Sequence, residues 1–253
     1  MPIGSSLSSQ ERRQRLLAML DSGGEIRIDS SAESLDVSTM TIRRDLGDLE
    51  AEGLLRRVRG GAVPAVFARP HEQRQAVRAA AKAVIAQKAL PLVPAEGFVA
   101  FDASSTITTL ADVIGPRDGL TVLTNSVPTG EALDRWAGVD GLLTGGRRDP
   151  ATGSLVGELA TRNAGAFHTE AFFASTGGLD AEIGCTEVSL AEAEVKMVLS
   201  ERARTTILCA DSSKLGQRST ASSLSLDGVT VLVTELDPRD PRLDAFRDLV
   251  ELR

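Results

Sequence analysis

"VSTMTIRRDLGDLEAEGLLRRVRGGA", residues 37–62, sets five arginines against four acids in a chain whose formal net charge is −7. Ile42, Leu46 and Leu49 recur at i, i+4 and i+7, the spacing of a single buried helix face. Ser38 is placed to cap that helix by accepting from a free amide of the first turn, and Gly53 to end it. At about 100° per residue, Met40, Arg44 and Gly47 then point away from the core. Thr41, Arg43 and Asp48 flank them, while Asp45 and Glu52 lie nearer the buried side. The exposed N-terminal half of the helix is therefore basic and polar. The apolar-basic run that follows, "LLRRVRGGA", predicts a hairpin or wing.

Two helices are expected before it. "SSQERRQRLLAMLDSGGE" offers a serine cap and an apolar stripe of Leu16, Leu17 and Leu20, stopped by Gly23 and Gly24. "IRIDSSAESLDVS" predicts a short extended piece and a helix carrying Ala32 and Leu35. Asp36 falls in a turn, where Asp tolerates a left-handed backbone. A recognition helix of this kind puts its N-terminal residues at base edges in the major groove, with arginines and hydroxyls on phosphates. The same pattern fits an ordinary three-helix bundle with a solvated arginine face.

Composition narrows the function classes. With 253 residues, 42% hydrophobic and 25% charged, the chain has the make-up of a soluble globular protein. It has no apolar run long enough to span a bilayer. Its opening, "MPIGSSLSSQERRQR", lacks the apolar segment of a secretion signal, so a cytoplasmic protein without a membrane partner is expected. Cys185, in the loop-like "IGCTE", and Cys209, in the strand-like "TTILCAD", are expected to be packed free thiols. Two histidines, His71 and His168, argue against a histidine metal site, and no cofactor is expected. Acidity does not exclude nucleic acid, because residues 11–61 hold nine arginines and ten acids, whereas the rest holds 19 basic and 25 acidic residues.

"VPAVFARPHEQRQ", with two prolines and no period, places a boundary: residues 1–62, a linker over 63–76, and a second domain over 77–253. "HEQRQAVRAAAKAVIAQKAL" predicts a helix whose Arg74, Arg78 and Lys82 form a solvated basic stripe. Six extended apolar runs follow, "GFVAFDA", "LTVLTNS", "VDGLLTGG", "EAFFASTGG", "RTTILCADSS" and "GVTVLVTE", mostly separated by helical stretches. That alternation predicts an α/β domain with a mainly parallel sheet covered on both faces. The strands run into Asp102 to Thr106, Thr124-Asn125-Ser126, Gly145 to Arg148, Gly177 to Asp180 and Asp211 to Lys214. Such ends admit a small polar ligand, typically phosphate, to backbone amides and helix N-termini. Lys214 is the expected partner for ligand charge, and Arg147 and Arg148 either clamp an anion or decorate a loop. "SLAE", Ser189 to Glu192, is a capping box, which makes Glu192 structural.

The run "TIRRDL…L…G…RV.GGA" resembles the winged helix-turn-helix of the DeoR family of bacterial transcriptional regulators. "DASST", "LTNS", "GGR", "GGLDAEIGCTE" and "ADSSKLG" resemble that family's sensor domain, whose fold is similar to ribose-5-phosphate isomerase and the CoA transferases. Ser31, Gly47, Arg59, the second serine of "DASST" and Cys185 depart from its commoner forms. The resemblance implies a regulator, most readily a repressor of a carbohydrate operon. Ser38, Thr39, Met40, Thr41, Arg43 and Arg44 would contact operator DNA, and Arg57, Arg59 and Gly60 would hold its backbone from the wing. It implies a phosphorylated sugar or related effector at Asp102, Ser104, Ser105, Thr106, Thr124, Asn125, Gly178, Asp180, Glu187 and Lys214. A homodimer or higher homo-oligomer is expected, since operators for such readers are usually two-fold or repeated. Two rivals stand beside this reading: a sugar-phosphate isomerase-like enzyme fused to a helical module, and an assembly platform with a vestigial pocket.

Overall fold

A computed structural model describes residues 8–23, 25–51, 54–64, 71–150 and 152–253. The chain divides into two compact units, Met1–Phe67 and Ala68–Arg253. In the first, a reciprocal cap starts α1 (Ser9–Gly23): Ser8 Oγ accepts from the Glu11 amide at 3.3 Å, and Glu11 Oε2 accepts from the Ser8 amide at 3.0 Å. β1 (Ile26–Arg27), α2 (Ile28–Ser34) and α3 (Thr39–Ala51) follow, then a hairpin of β2 (Leu55–Val58) and β3 (Gly61–Pro64). Asp36 takes the left-handed turn between α2 and α3, with φ 51°.

Leu16, Leu20, Ala32, Leu35, Ile42, Leu46 and Leu49 close one core with Ile26, Ile28, Leu55 and Ala62. The three strands pair antiparallel in the order β1, β3, β2. Gly61 is needed there, because a Cβ would stand 1.7 Å from the Ile26 carbonyl oxygen. The expected helix stop at Gly53, the position of Glu52 and the role of Gly24 lie outside the described residues.

The second unit begins with α4 (His71–Ala76) and α5 (Ala79–Ala89). The single helix expected over residues 71–90 is thus broken, and Arg78 at the break adopts φ 52° and ψ 37°. The chain then runs β4 (Gly97–Phe101), α6 (Ser105–Val113), β5 (Leu120–Thr124), α7 (Val127–Leu133) and β6 (Val139–Leu143). A short hairpin of β7 (Arg147–Arg148) and β8 (Leu155–Val156) precedes α8 (Glu158–Ala164) and β9 (Thr169–Ala174). Next come β10 (Gly178–Asp180), β11 (Gly184–Glu187), α9 (Leu190–Glu201), β12 (Ala203–Cys209), β13 (Ala221–Ser222), β14 (Val231–Val233) and β15 (Glu251–Leu252).

All six expected strand runs join one parallel sheet in the order β15, β14, β12, β9, β4, β5, β6. Successive side chains alternate between two cores, as strand geometry requires. Val99, Phe101, Val122, Phe173 and Ile207 pack under α5, α6 and α7. Ala100, Leu123, Phe172, Ala174 and Leu208 pack under α8, α9 and the C-terminal turns around Leu243 and Phe246. The α/β class is as expected.

Because β4 is central, the chain first builds outward through β5 and β6, then returns to lay β9 on the other side of β4. The sheet therefore has a topological switch point between β4 and β9, where loops diverge and leave a crevice at the carboxyl ends. Cys185 lies in β11, not in a loop; it and Cys209 are both buried and free. Burial pushes the Cys185 thiol up to about 12.

Candidate functional site

At the switch point a cavity is lined by Arg74, Asp102, Ala103, Ser104, Asn125, Glu187, Glu192 and Lys196. Asp102 follows β4 and is held from both sides: Oδ1 accepts from the Ser104 amide at 2.9 Å and Oδ2 from the Ser175 amide, beyond β9, at 2.8 Å. Ser104 caps α6, its hydroxyl accepting from the Ile107 amide at 3.2 Å. Ser105 and Thr106 form the first turn of that helix, where backbone dipoles favour an anion. Asn125, after β5, donates from Nδ2 to the Leu155 carbonyl at 3.2 Å, whereas its buried Oδ1 has no hydrogen-bond partner. A buried acceptor left without a donor is costly, on the order of 1–3 kcal/mol.

α9 contributes two side chains. Lys196 Nζ lies 2.6 Å from Glu187 Oε1 and 3.2 Å from Asp102 Oδ2, and also donates to the Ser175 carbonyl. Burial pushes the Lys196 ammonium down, but Glu187 and then Asp102 outweigh it, so its pKa ends raised. Burial pushes the Glu187 carboxyl up, with Lys196 opposing. Glu192 accepts from Ser154 Oγ at 2.7 Å. This corrects the capping-box expectation: Ser189 does cap α9 through the Glu192 amide at 3.4 Å, but the Glu192 carboxylate turns into the cavity lining.

The expected solvated basic stripe is also corrected. Arg74 donates to the carbonyls of Ala103 and Thr152. Arg78 pairs with Asp211 at 2.8 Å and Glu235 at 2.6 Å, and buried Lys82 donates to the carbonyls of Arg74 and Val77. His71 shares a 2.8 Å hydrogen bond with Thr108 of α6. Burial, then the charges of Arg74 and Lys82, push the His71 imidazole down to about 4.

In the first unit, Ser38 accepts from the Thr41 amide at 3.1 Å and so caps α3. Ile42, Leu46 and Leu49 are buried and Met40 is 67% exposed. Asp45 is buried in an ion pair with Arg12, whose Nη2 donates to Oδ1 at 3.0 Å. Ser38, Thr39, Arg43 and Arg44 are exposed and Thr41 is half-buried. From the wing, Arg57 pairs with Glu50 at 2.7 Å, and Arg59 and Gly60 are exposed, Gly60 with φ 88°. Basic side chains thus cluster on the solvent side while the acid at position 45 is neutralised within.

Two family models match the chain. Residues 12–65 match the DeoR-like helix-turn-helix domain, and residues 77–236 match the DeoR C terminal sensor domain. The chain belongs to the DeoR family. It is 31% identical to the HTH-type transcriptional regulator GolR of Listeria innocua, over 89% of this chain and 90% of that one. To the lactose phosphotransferase system repressor of Streptococcus mutans it is 30% identical, over 96% of this chain and 100% of the relative. A ribose 5 phosphate isomerase A from Neisseria gonorrhoeae aligns at 17% identity and TM-score 0.37, over 53% of this chain and 52% of that one, too slight a likeness to argue from.

Against this DeoR-family frame, the cavity brings together Asp102, Ser104, Asn125 and Glu187, with Ser105 and Thr106 at the head of α6. Thr124 is buried beside them, its hydroxyl accepting from the Ser126 amide at 3.2 Å. Gly178 and Asp180 sit in the β10–β11 hairpin. There Asp180 pairs with Arg218 at 2.7 Å, and that hydrogen bond, above all, holds its carboxyl down at about 2. Lys214 lies in the turn after β12, where its charge helps hold Asp211 below the usual carboxylate range against the upward push of burial. None of these three lines the cavity, and Arg147 and Arg148 form an exposed strand.

Arg74, Glu192 and Lys196 line the cavity without having been singled out from sequence as ligand contacts. Lys196 had a readable signal: it follows Val195 and precedes Leu199 by three, on the side of α9 that faces the core.

Proposed function

We propose that this DeoR-family regulator binds double-stranded operator DNA through α3 and the wing, represses a carbohydrate-metabolism operon, and is released by a phosphorylated sugar bound at the switch-point cavity. Ser38, Thr39, Met40, Thr41, Arg43 and Arg44 meet base edges and phosphates, and Arg57, Arg59 and Gly60 meet the backbone. The observation that carries the reading is the exposed, capped and basic N-terminal half of α3, held on a core that neutralises its one buried acid. The names of the relatives supply the carbohydrate context. Asp102, Ser104, Ser105, Thr106, Thr124, Asn125 and Glu187 form the effector site, the amides of α6 taking the phosphate. The protein acts in the cytoplasm as a homodimer or higher homo-oligomer through its sensor unit, matching a two-fold or repeated operator.

Binding rather than turnover is the use of the cavity that the regulatory relatives favour. Among the described residues, no helix is long and apolar enough to cross a membrane. The test is fluorescence anisotropy with the DNA upstream of the protein's own operon, at stated salt, with and without a panel of sugar phosphates. Nanomolar binding that weakens with one of them is expected. Operator affinity unchanged by every member of the panel refutes the effector half of the proposal, and binding no tighter than to random DNA refutes the operator half.

A further inference from the structure

Glu50 stands in the last turn of α3, and Arg57 on β2, the outer strand of the β1, β3, β2 sheet. One carboxylate joins the two elements at two points. Glu50 Oε1 accepts from the Arg57 amide at 2.8 Å, and Glu50 Oε2 accepts from Arg57 Nε at 2.7 Å. The first bond fixes where the strand lies against the helix, and the second fixes where the guanidinium points. Arg57 Nη1 reaches back along α3 to Gly47, 3.7 Å from the place a Cβ would occupy. Arg57 and Arg43 also line a common cleft between α3 and the hairpin, together with Gly60.

The pair itself adds little to stability, because its side chains are 51% and 36% exposed. Its consequence is orientation. Arg43 and Arg57 turn like charges into one cleft, an arrangement that an anion such as a backbone phosphate stabilises. Of the five guanidinium N–H donors, Glu50 takes the one on Nε, which leaves those on the Nη groups for that anion.

We infer that Glu50 is a positioning residue for operator binding: it locks the wing to α3 and aims Arg57 at the DNA backbone. The inference rests on the operator reading above and adds the residue through which wing and recognition helix present one surface. The sign of its effect separates positioning from simple charge. A carboxylate beside DNA repels phosphate, so removing it tightens binding if charge is all it contributes. If it positions Arg57, removing it weakens binding in spite of the lost repulsion, since strand and arginine must then be ordered by the DNA itself.

The test is fluorescence anisotropy of the full chain on operator and random duplexes over a series of salt concentrations. Wild type is compared with Glu50→Ala, Glu50→Gln, Arg57→Ala and the two double variants, each checked by urea unfolding. Glu50→Ala is expected to weaken operator binding about fivefold or more and to flatten its salt dependence, as Arg57→Ala does, by up to about one phosphate contact. In the double variants the two losses should not add, because both remove one interaction. Glu50→Gln, which keeps an acceptor, should fall between wild type and Glu50→Ala, and it carries the test if Glu50→Ala fails to fold. Operator binding that is unchanged or tighter in the deciding variant overturns the inference. So does a loss that leaves the salt dependence unmoved, or one that adds in full to that of Arg57→Ala. Wild type that binds random DNA as tightly as operator is a different failure, since it removes the operator reading itself and the inference with it.

Discussion

Gly47 occupies the middle of α3, where glycine weakens a helix by about 1 kcal/mol relative to alanine. A Cβ there would meet only Arg57 Nη1, at 3.7 Å, which is an ordinary contact. Gly47→Ala is therefore expected to raise stability by up to about 1 kcal/mol in urea denaturation. If operator affinity drops in the same variant, close approach of DNA is the reason for the glycine. Arg44→Ala, on the same outward side, should leave stability within about 0.5 kcal/mol while weakening operator binding by about 1–3 kcal/mol. A variant that binds operator as wild type does would remove Arg44 from the reading face. At this scale the local features were readable: Ser38 caps, Asp36 turns left-handed, and Ile42, Leu46 and Leu49 are buried. The Arg12–Asp45 pair was not, because its partners lie 33 residues apart and no local period links them.

Elements carry the pH response. The unfolded imidazole of His71 takes a proton near 6.5, whereas the folded one, desolvated and facing Arg74 and Lys82, resists until about 4. Its contribution to stability is complete above 6.5 and is lost as pH falls from 6.5 towards 4. Unfolding followed at Trp136, the chain's one tryptophan, should show this slope in wild type and a shallower one in His71→Gln. Identical slopes would show that His71 is not held neutral against α6. Lys196→Met tests the buried trio of Lys196, Asp102 and Glu187: stranding two carboxylates without their counter-ion is expected to cost about 3–5 kcal/mol in the same assay. A loss below about 1 kcal/mol would show those acids to be protonated or solvated.

Six of the seven strands of the large sheet were legible from apolar runs, and β15 was not, since two residues carry no pattern. The break at Arg78 also escaped reading, because nothing in "QAVRAAAK" interrupts helix propensity. Distant acids, Asp211 and Glu235, hold the arginine there.

The whole molecule joins a reader and a receiver in one chain. Strand ends marked the positions open to a ligand, but the order of strands decides which ends converge, and order is a non-local property. Placing β9 beside β4 unites Asp102 with Ser175 and lets Lys196 span them; Asp180 and Lys214, at other strand ends, are left outside the cavity lining. Glu192 was misassigned because its spacing from Ser189 satisfied a local rule while its carboxylate obeyed a tertiary one. The central claim is that the two units are energetically linked, and linkage is reciprocal. The most direct measurement is the affinity of the full chain for its operator with and without a saturating sugar phosphate, and for that sugar phosphate with and without operator. The account predicts that both affinities fall by the same factor, about 5- to 150-fold. Operator affinity unmoved by a sugar phosphate that demonstrably binds would contradict it.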